Sequence, residues 1–166
     1  MLTCNSGPPR RRAITTPHLL IFTLDRLRYA LRLDTVERVV RAAAITALPE
    51  APEIVLGILD LQGQIIPVID LRKRFRLPER GIRSDDQFVI ARSGNRTLAL
   101  VVDGTESVIE RTDLTVTAPD DVLTGTAFLE GISSTDQGLL LIHDLETLLF
   151  SAEEELLAQA LERVRQ

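Results

Sequence analysis

Few side chains in this sequence could do chemistry, and their spacing limits what that chemistry could be. There are two histidines: His18 follows Pro17, and His143 is followed at once by Asp144. His143, Asp144 and one of Ser133 or Ser134 could in principle form a nucleophilic triad. No Gly-x-Ser-x-Gly elbow lifts either serine out of the chain, so catalysis is not expected. Neither histidine has a second ligand at metal-binding spacing, and the single cysteine, Cys4, excludes an internal disulfide or a cysteine-based metal cluster. Glycines 57, 63, 104, 125, 131 and 138 fall one to a turn, so no phosphate-cradling loop is formed. The residues therefore predict no catalytic group, no metal and no cofactor. An enzyme or small-ligand barrel would need a convergent polar pocket around His143.

The elements must then carry the function. At 166 residues the chain suits one compact domain, or two small ones sharing a core. With no Trp, one Tyr and five Phe among 45% apolar residues, Leu, Ile and Val must fill the interior, which favours β-structure. The net charge of -5 argues against nucleic acid, and the basic run Arg10, Arg11, Arg12 has no aromatic residues beside it for stacking. No window approaches the roughly 18 apolar residues of a membrane span, so no insertion is expected and the cytoplasm is the natural compartment.

Residues 1–17, rich in Pro and Gly, predict a disordered or extended tail. The apolar run 19–24, a turn at Asp25 and Arg26, and the run 27–33 predict a hairpin. A second hairpin, 57–61 and 64–69, turns at Gln62 and Gly63 and runs into Asp70, a good helix N-cap. Pro67 cannot donate to a ladder, so its strand should lie at an edge or carry an unpaired side outward. Laid over itself with an offset of 69, the chain matches Leu19, Leu20 and Ile21 to Phe88, Val89 and Ile90, and 30–39 to 99–108, with Asp34 on Asp103. Later the offset becomes 74, placing Gly57 on Gly131 and Asp70 on Asp144. This predicts two tandem β-units, about 19–75 and 88–149, with a connector at 78–86 and a long loop at 112–126. His143 then falls on Ile69 and should be a strand residue near the surface. Ser151 and Glu154 suit a capping box opening a C-terminal amphipathic helix over 151–166, with Leu156, Leu157, Ala160, Leu161 and Val164 on one face.

The stretch 57–71 resembles the CheW signature, Gly-Val-x-Asn-Leu-Arg-Gly-x-x-x-Pro-Val-x-Asp-Leu, in the spacing of Gly57, Gly63, Pro67, Asp70 and Leu71. It departs at Gln62, where that family usually has arginine. The resemblance covers about 19–157. It implies a mainly β fold of two tandem SH3-like five-stranded β-barrel subdomains with a C-terminal α-helix, forming a single CheW-like domain over 18–150. It implies a non-enzymatic adaptor that couples the cytoplasmic tips of methyl-accepting chemoreceptors to the regulatory domain of a CheA-type histidine kinase. Such a protein would be a cytoplasmic monomer when isolated, recruited to membrane-associated receptor arrays. A coupling protein of a non-motility pathway, controlling a pilus or a second messenger, is the alternative.

Carried over by position, the receptor groove would involve Leu20, Leu33, Val36 and Thr105, where Thr105 replaces a common aliphatic residue. The kinase face would include Ile45 and Ile65, and the signature turn Glu37, Gln62 and Gly63. In the family the arginine at position 62 commonly pairs with an acid from the segment matching 36–40. Gln62 is therefore expected to loosen this turn, with Glu37 as its nearest acidic candidate.

Overall fold

The structure, a computed structural model, describes residues 18–94, 96–111, 114–117 and 129–165. The expected tail at 1–17 and most of the expected loop at 112–126 lie outside them. Eleven strands follow in order among the described residues: β1 (His18–Leu24), β2 (Leu27–Arg32), β3 (Val36–Arg41), β4 (Val55–Leu61), β5 (Gln64–Ile69), β6 (Gln87–Ser93), β7 (Arg96–Val102), β8 (Gly104–Glu110), β9 (Val116–Thr117), β10 (Leu129–Thr135) and β11 (Gly138–His143). A short helix α1 (Leu71–Arg74) follows β5, and α2 (Ser151–Arg165) closes the chain. The fold is mainly β with a C-terminal helix. Within the expected 112–126 loop, Val116 and Thr117 pair with β10.

A six-stranded sheet has the order β8-β1-β2-β11-β10-β9, and a five-stranded sheet the order β3-β6-β7-β5-β4. Each sheet draws strands from both sequence copies, so the halves 19–75 and 88–149 do not coincide with the two sheets. The 3-10 turn Leu33–Thr35 takes the chain out of the first sheet after β2, and β3 pairs with β6 of the second copy. The duplication nevertheless survives in the register. Val39 pairs with Val89 as Val108 pairs with Leu20, and Val68 pairs with Ala99 as Ile142 pairs with Ala30. The offsets of 69 and 74 interconvert both sets.

Strand periodicity explains why the apolar runs are nearly continuous. Leu19 and Ile21 of β1 point into a cluster with Ala30, Leu140 and Ile142, while Leu20, Phe22 and Leu24 point into the central cluster between the sheets. In β6, Phe88 and Ile90 join Leu59, Ile66 and Val68, while Val89 and Ala91 face the central cluster. Both faces of these strands are buried. Pro67 does not lie on an edge strand, because β5 sits between β7 and β4. The β7 ladder reaches only Val68 and Ile69, so Pro67 falls on the stretch that has β4 alone as neighbour.

Asp70 caps α1, its Oδ1 accepting from the Arg72 amide at 3.0 Å, and Asp144 receives the Glu146 amide in the same way at 3.0 Å. The α2 cap is shifted by one residue from the expected one. The Glu154 amide donates to the Phe150 carbonyl and the Glu153 carboxylate accepts from the Phe150 amide, so Phe150, not Ser151, is the cap. Leu157, Ala160 and Leu161 pack into the central cluster, whereas Leu156 and Val164 at the flanks of that face stay exposed.

The expected connector at 78–86 carries a charge network that ties the sheets together. Buried Arg72 reaches Asp25 in the β1–β2 turn at 2.9 Å and Asp103 between β7 and β8 at 2.9 Å. Arg80 binds both oxygens of Asp86 at 2.9 Å and also contacts Asp103. Burial alone would push the Asp86 carboxyl up, but Arg80 and the Arg83 amide outweigh it and hold it below the usual carboxylate range. Asp86 therefore stabilises the folded state above ordinary carboxylate pH values, and that contribution is lost as pH falls through its depressed pKa.

Candidate docking site

β3 and β8 are edge strands of different sheets. Leu20 of β1, Leu33 of the 3-10 turn and Val36 of β3 all belong to or pack against the central cluster. Thr105 of β8 lies opposite Phe22 on β1, and its amide and hydroxyl both donate to the Gln87 side-chain carbonyl oxygen, at 2.8 and 3.0 Å. Since Gln87 opens β6 in the other sheet, this contact links the two sheets at Thr105. Leu20, Leu33 and Val36 thus share the central cluster, while Thr105 ties the two sheets together through Gln87. Leu20 is only 7% exposed and belongs to the core itself.

Two further residues, absent from the sequence-derived set, are linked to these by strand pairing and by the duplication. Val108 pairs with Leu20 and is 46% exposed, and its counterpart Val39 is partly buried against the central cluster. The offset of 69 that places Val36 on Thr105 also places Val39 on Val108, which is the signal that would have found them. Val36 and Thr105, Val39 and Val108, and Leu20 and Val89 are thus related in approximate two-fold fashion.

Ile45 and Ile65 pack against different clusters. Ile45 packs with the cluster inside the five-stranded sheet, while Ile65 packs toward the central cluster and shares a groove with Arg92, Arg96 and Leu161. Gly57 explains how the Ile45 segment is held. A Cβ there would lie 2.4 Å from the Thr46 carbonyl oxygen, and Thr46 bridges to Ile58 through hydrogen bonds of 2.9 and 2.7 Å.

The signature turn has positive φ at both Gln62 (56°) and Gly63 (88°), the geometry of a two-residue type I′ hairpin. The Asp60 carboxylate accepts from the Gly63 amide at 2.9 Å and fixes the turn. Glu37 is engaged by Arg92 of β6 at 3.5 Å, with both side chains largely exposed. An arginine thus reaches this acid from the neighbouring strand, and the exposure keeps the pair weak.

His143 is not near the surface: it is 4% exposed and stacks on Phe75 with ring centroids 4.2 Å apart, next to Tyr29 at 5.0 Å. It occupies the buried position of Ile69 in the other copy. The candidate triad is not assembled. Ser133 lies opposite Leu140, on the face of β11 that carries Leu140 and Ile142, while His143 projects from the other face. Ser134 is exposed and pairs with Leu139, four positions and about 13 Å along the strand from His143. Asp144 caps the turn Leu145–Thr147 instead of meeting a serine.

Two cross-built sheets around a shared central core define a small β-scaffold. A family model described as the CheW-like domain matches residues 18–153. The chain is 31% identical over 138 residues to the chemotaxis protein CheW of Klebsiella aerogenes, covering 81% of this chain and 82% of that protein. It is 31% identical over 146 residues to the chemotaxis protein CheW of Treponema pallidum, covering 84% and 86%. The solved structure of the scaffolding protein TtCheW from Thermoanaerobacter tengcongensis matches with a TM-score of 0.74 and 35% identity, covering 84% of this chain and 96% of that one. The chain belongs to the CheW family.

Proposed function

We propose that this protein is a non-enzymatic chemotaxis adaptor that couples chemoreceptors to a CheA-type histidine kinase. The observation that carries this reading is the cross-built two-sheet fold, with Val36, Val39 and Val108 on its edge strands β3 and β8, in a chain whose relatives are named for chemotaxis. Residues 18–150 act as one docking body, with the 151–166 helix packed on it. Leu33, Val36 and Thr105, over Leu20, receive the helical receptor tip. Ile45 and Ile65 contribute to contacts with the kinase regulatory domain, with Glu37, Gln62 and Gly63 shaping the adjacent turn. The protein works as a cytoplasmic monomer recruited to receptor arrays. Among the described residues no helix is long and apolar enough to cross a membrane.

Co-sedimentation of the purified protein with receptor tips and CheA-type kinase from the same cell tests this reading. Val36→Asp places a charge on a half-buried groove wall and is expected to weaken receptor binding at least tenfold, with unchanged circular dichroism. Wild-type affinity in that variant would remove the groove from the binding surface. Absence of any binding by the wild-type protein would remove the adaptor reading itself.

A further inference from the structure

Strand β5 is paired along its full length on one side only. Its ladder with β4 runs from Gln64 to Ile69, whereas its ladder with β7 holds just Val68 and Ile69. The register fixes where the main-chain groups point. Ile58 of β4 commits both its amide and its carbonyl to Thr46, at 2.7 and 2.9 Å, so Pro67 opposite it also turns its main-chain groups away from β4. Two residues earlier, Ile65 faces the same way, with its N–H and C=O toward β7.

On the other wall, Ser93 and Arg96 close the two-residue turn between β6 and β7, and the closing pair of such a turn is hydrogen-bonded. Thr97 therefore turns its N–H and C=O away from β6 and toward β5. The next bond of the β5–β7 ladder would come from the amide of residue 67. Proline has none, and the ladder stops there. Where it stops, a groove of about 540 Å³ opens, lined by Ile65 and Pro67 on one wall, Arg96 and Thr97 on the other, and Leu161 of α2. Ile65 and Thr97 are both partly exposed, and neither ladder uses their groove-facing groups.

We propose that this groove receives an extended segment of the kinase regulatory domain, which bonds through its main chain to Ile65 on one wall and Thr97 on the other. The inference rests on the adaptor reading above, which assigns Ile65 to the kinase contact. A donor and an acceptor on each wall match a peptide backbone, and an added strand gains its affinity from such bonds. Charge does not select the occupant, because Arg96 is paired with Glu154 at 3.2 Å and Arg92 with Glu37 at 3.5 Å. Of the two partners in that reading, the receptor tip is helical, with its backbone bonds closed within the helix, so the kinase is the one that can supply an extended segment. Ile65, Pro67 and Leu161 offer its side chains apolar contact.

Backbone amide hydrogen exchange tests this mode of binding, followed by NMR on the full chain with and without the regulatory domain of the CheA-type kinase from the same cell. The Ile65 and Thr97 amides are expected to exchange fast in the free protein and to slow roughly tenfold or more in the complex. The Ile66 and Leu98 amides, already in the β4 and β6 ladders, should be protected in both states. A complex in which the Ile65 and Thr97 amides stay fast overturns the inference and leaves the adaptor reading standing, whereas a wild-type chain that binds no kinase overturns both. Thr97→Pro removes a groove-facing amide without breaking a ladder bond. It should fold, as read by circular dichroism, and bind the kinase roughly tenfold more weakly, about the worth of one hydrogen bond. Wild-type affinity in the folded variant overturns the inference. If Thr97→Pro does not fold, the exchange measurement on the wild-type chain decides.

Discussion

Tyr29 is the chain's only tyrosine, so its titration can be read without interference. It stacks between Phe22 at 5.6 Å and Phe75 at 4.9 Å. Burial pushes its hydroxyl up to about 12, with the Asp25 charge adding to the rise and Arg72 opposing it. A raised pKa means the fold prefers neutral Tyr29. This stabilisation is intact below the ordinary value of 10.0 and is lost as pH climbs from there toward 12. Tyrosinate absorbance is expected to stay low in the folded protein at pH 10.5, where free tyrosine is about three-quarters ionised, and to rise as unfolding begins. Ordinary titration near 10 would show that the aromatic stack is open to water. His143 completes this cluster, its ring 4.2 Å from that of Phe75 and 5.0 Å from that of Tyr29. The sequence offered Asp144 and Ser133 or Ser134 as triad partners only on paper, and the strand alternation that buries His143 also turns Ser133 away.

The elements depend on a few close approaches. Gly57 lets the Thr46 segment bridge to β4, and Gly131 plays the same part in the second copy, where a Cβ would lie 2.3 Å from Val116 Cγ1. Gly57→Ala must therefore displace backbone, whereas a clash at Gly131 falls on a side chain. Gly57→Ala is expected to cost about 2 kcal/mol or more in urea denaturation, as overpacking against rigid structure does. A loss under 0.5 kcal/mol would mean the bridge moves freely. Helix α2 is held by Leu157, fully buried in the central cluster, and Leu157→Ala should cost about 2–5 kcal/mol. The same change at exposed Leu156 should cost under about 1 kcal/mol. Equal losses at the two positions would show that the helix packs in another register.

At the scale of the whole molecule, the cross-built topology makes the copies interdependent. A fragment of residues 76–166 would keep β6 and β7 but lose β3, β4 and β5 from the five-stranded sheet, and β8 would lose β1, its one strand partner among the described residues. Such a fragment should be unfolded alone by circular dichroism and regain β-signal on mixing with residues 1–75. Folding by itself would contradict the strand exchange. The sequence by itself determined the β-class, the signature hairpin, both capping aspartates and the duplication, because turn chemistry, side-chain alternation and capping act over a few residues. It also placed Asp34 on Asp103 and Val39 on Val108. Which copy completes which sheet was decided only by tertiary structure, since an apolar strand buried on both faces fits either partner equally well in its local pattern. The same holds for the α2 cap at Phe150, for Glu37 meeting Arg92, and for the groove between β5 and β7. Each depends on groups distant in the chain meeting in space, and no local spacing specifies such a meeting.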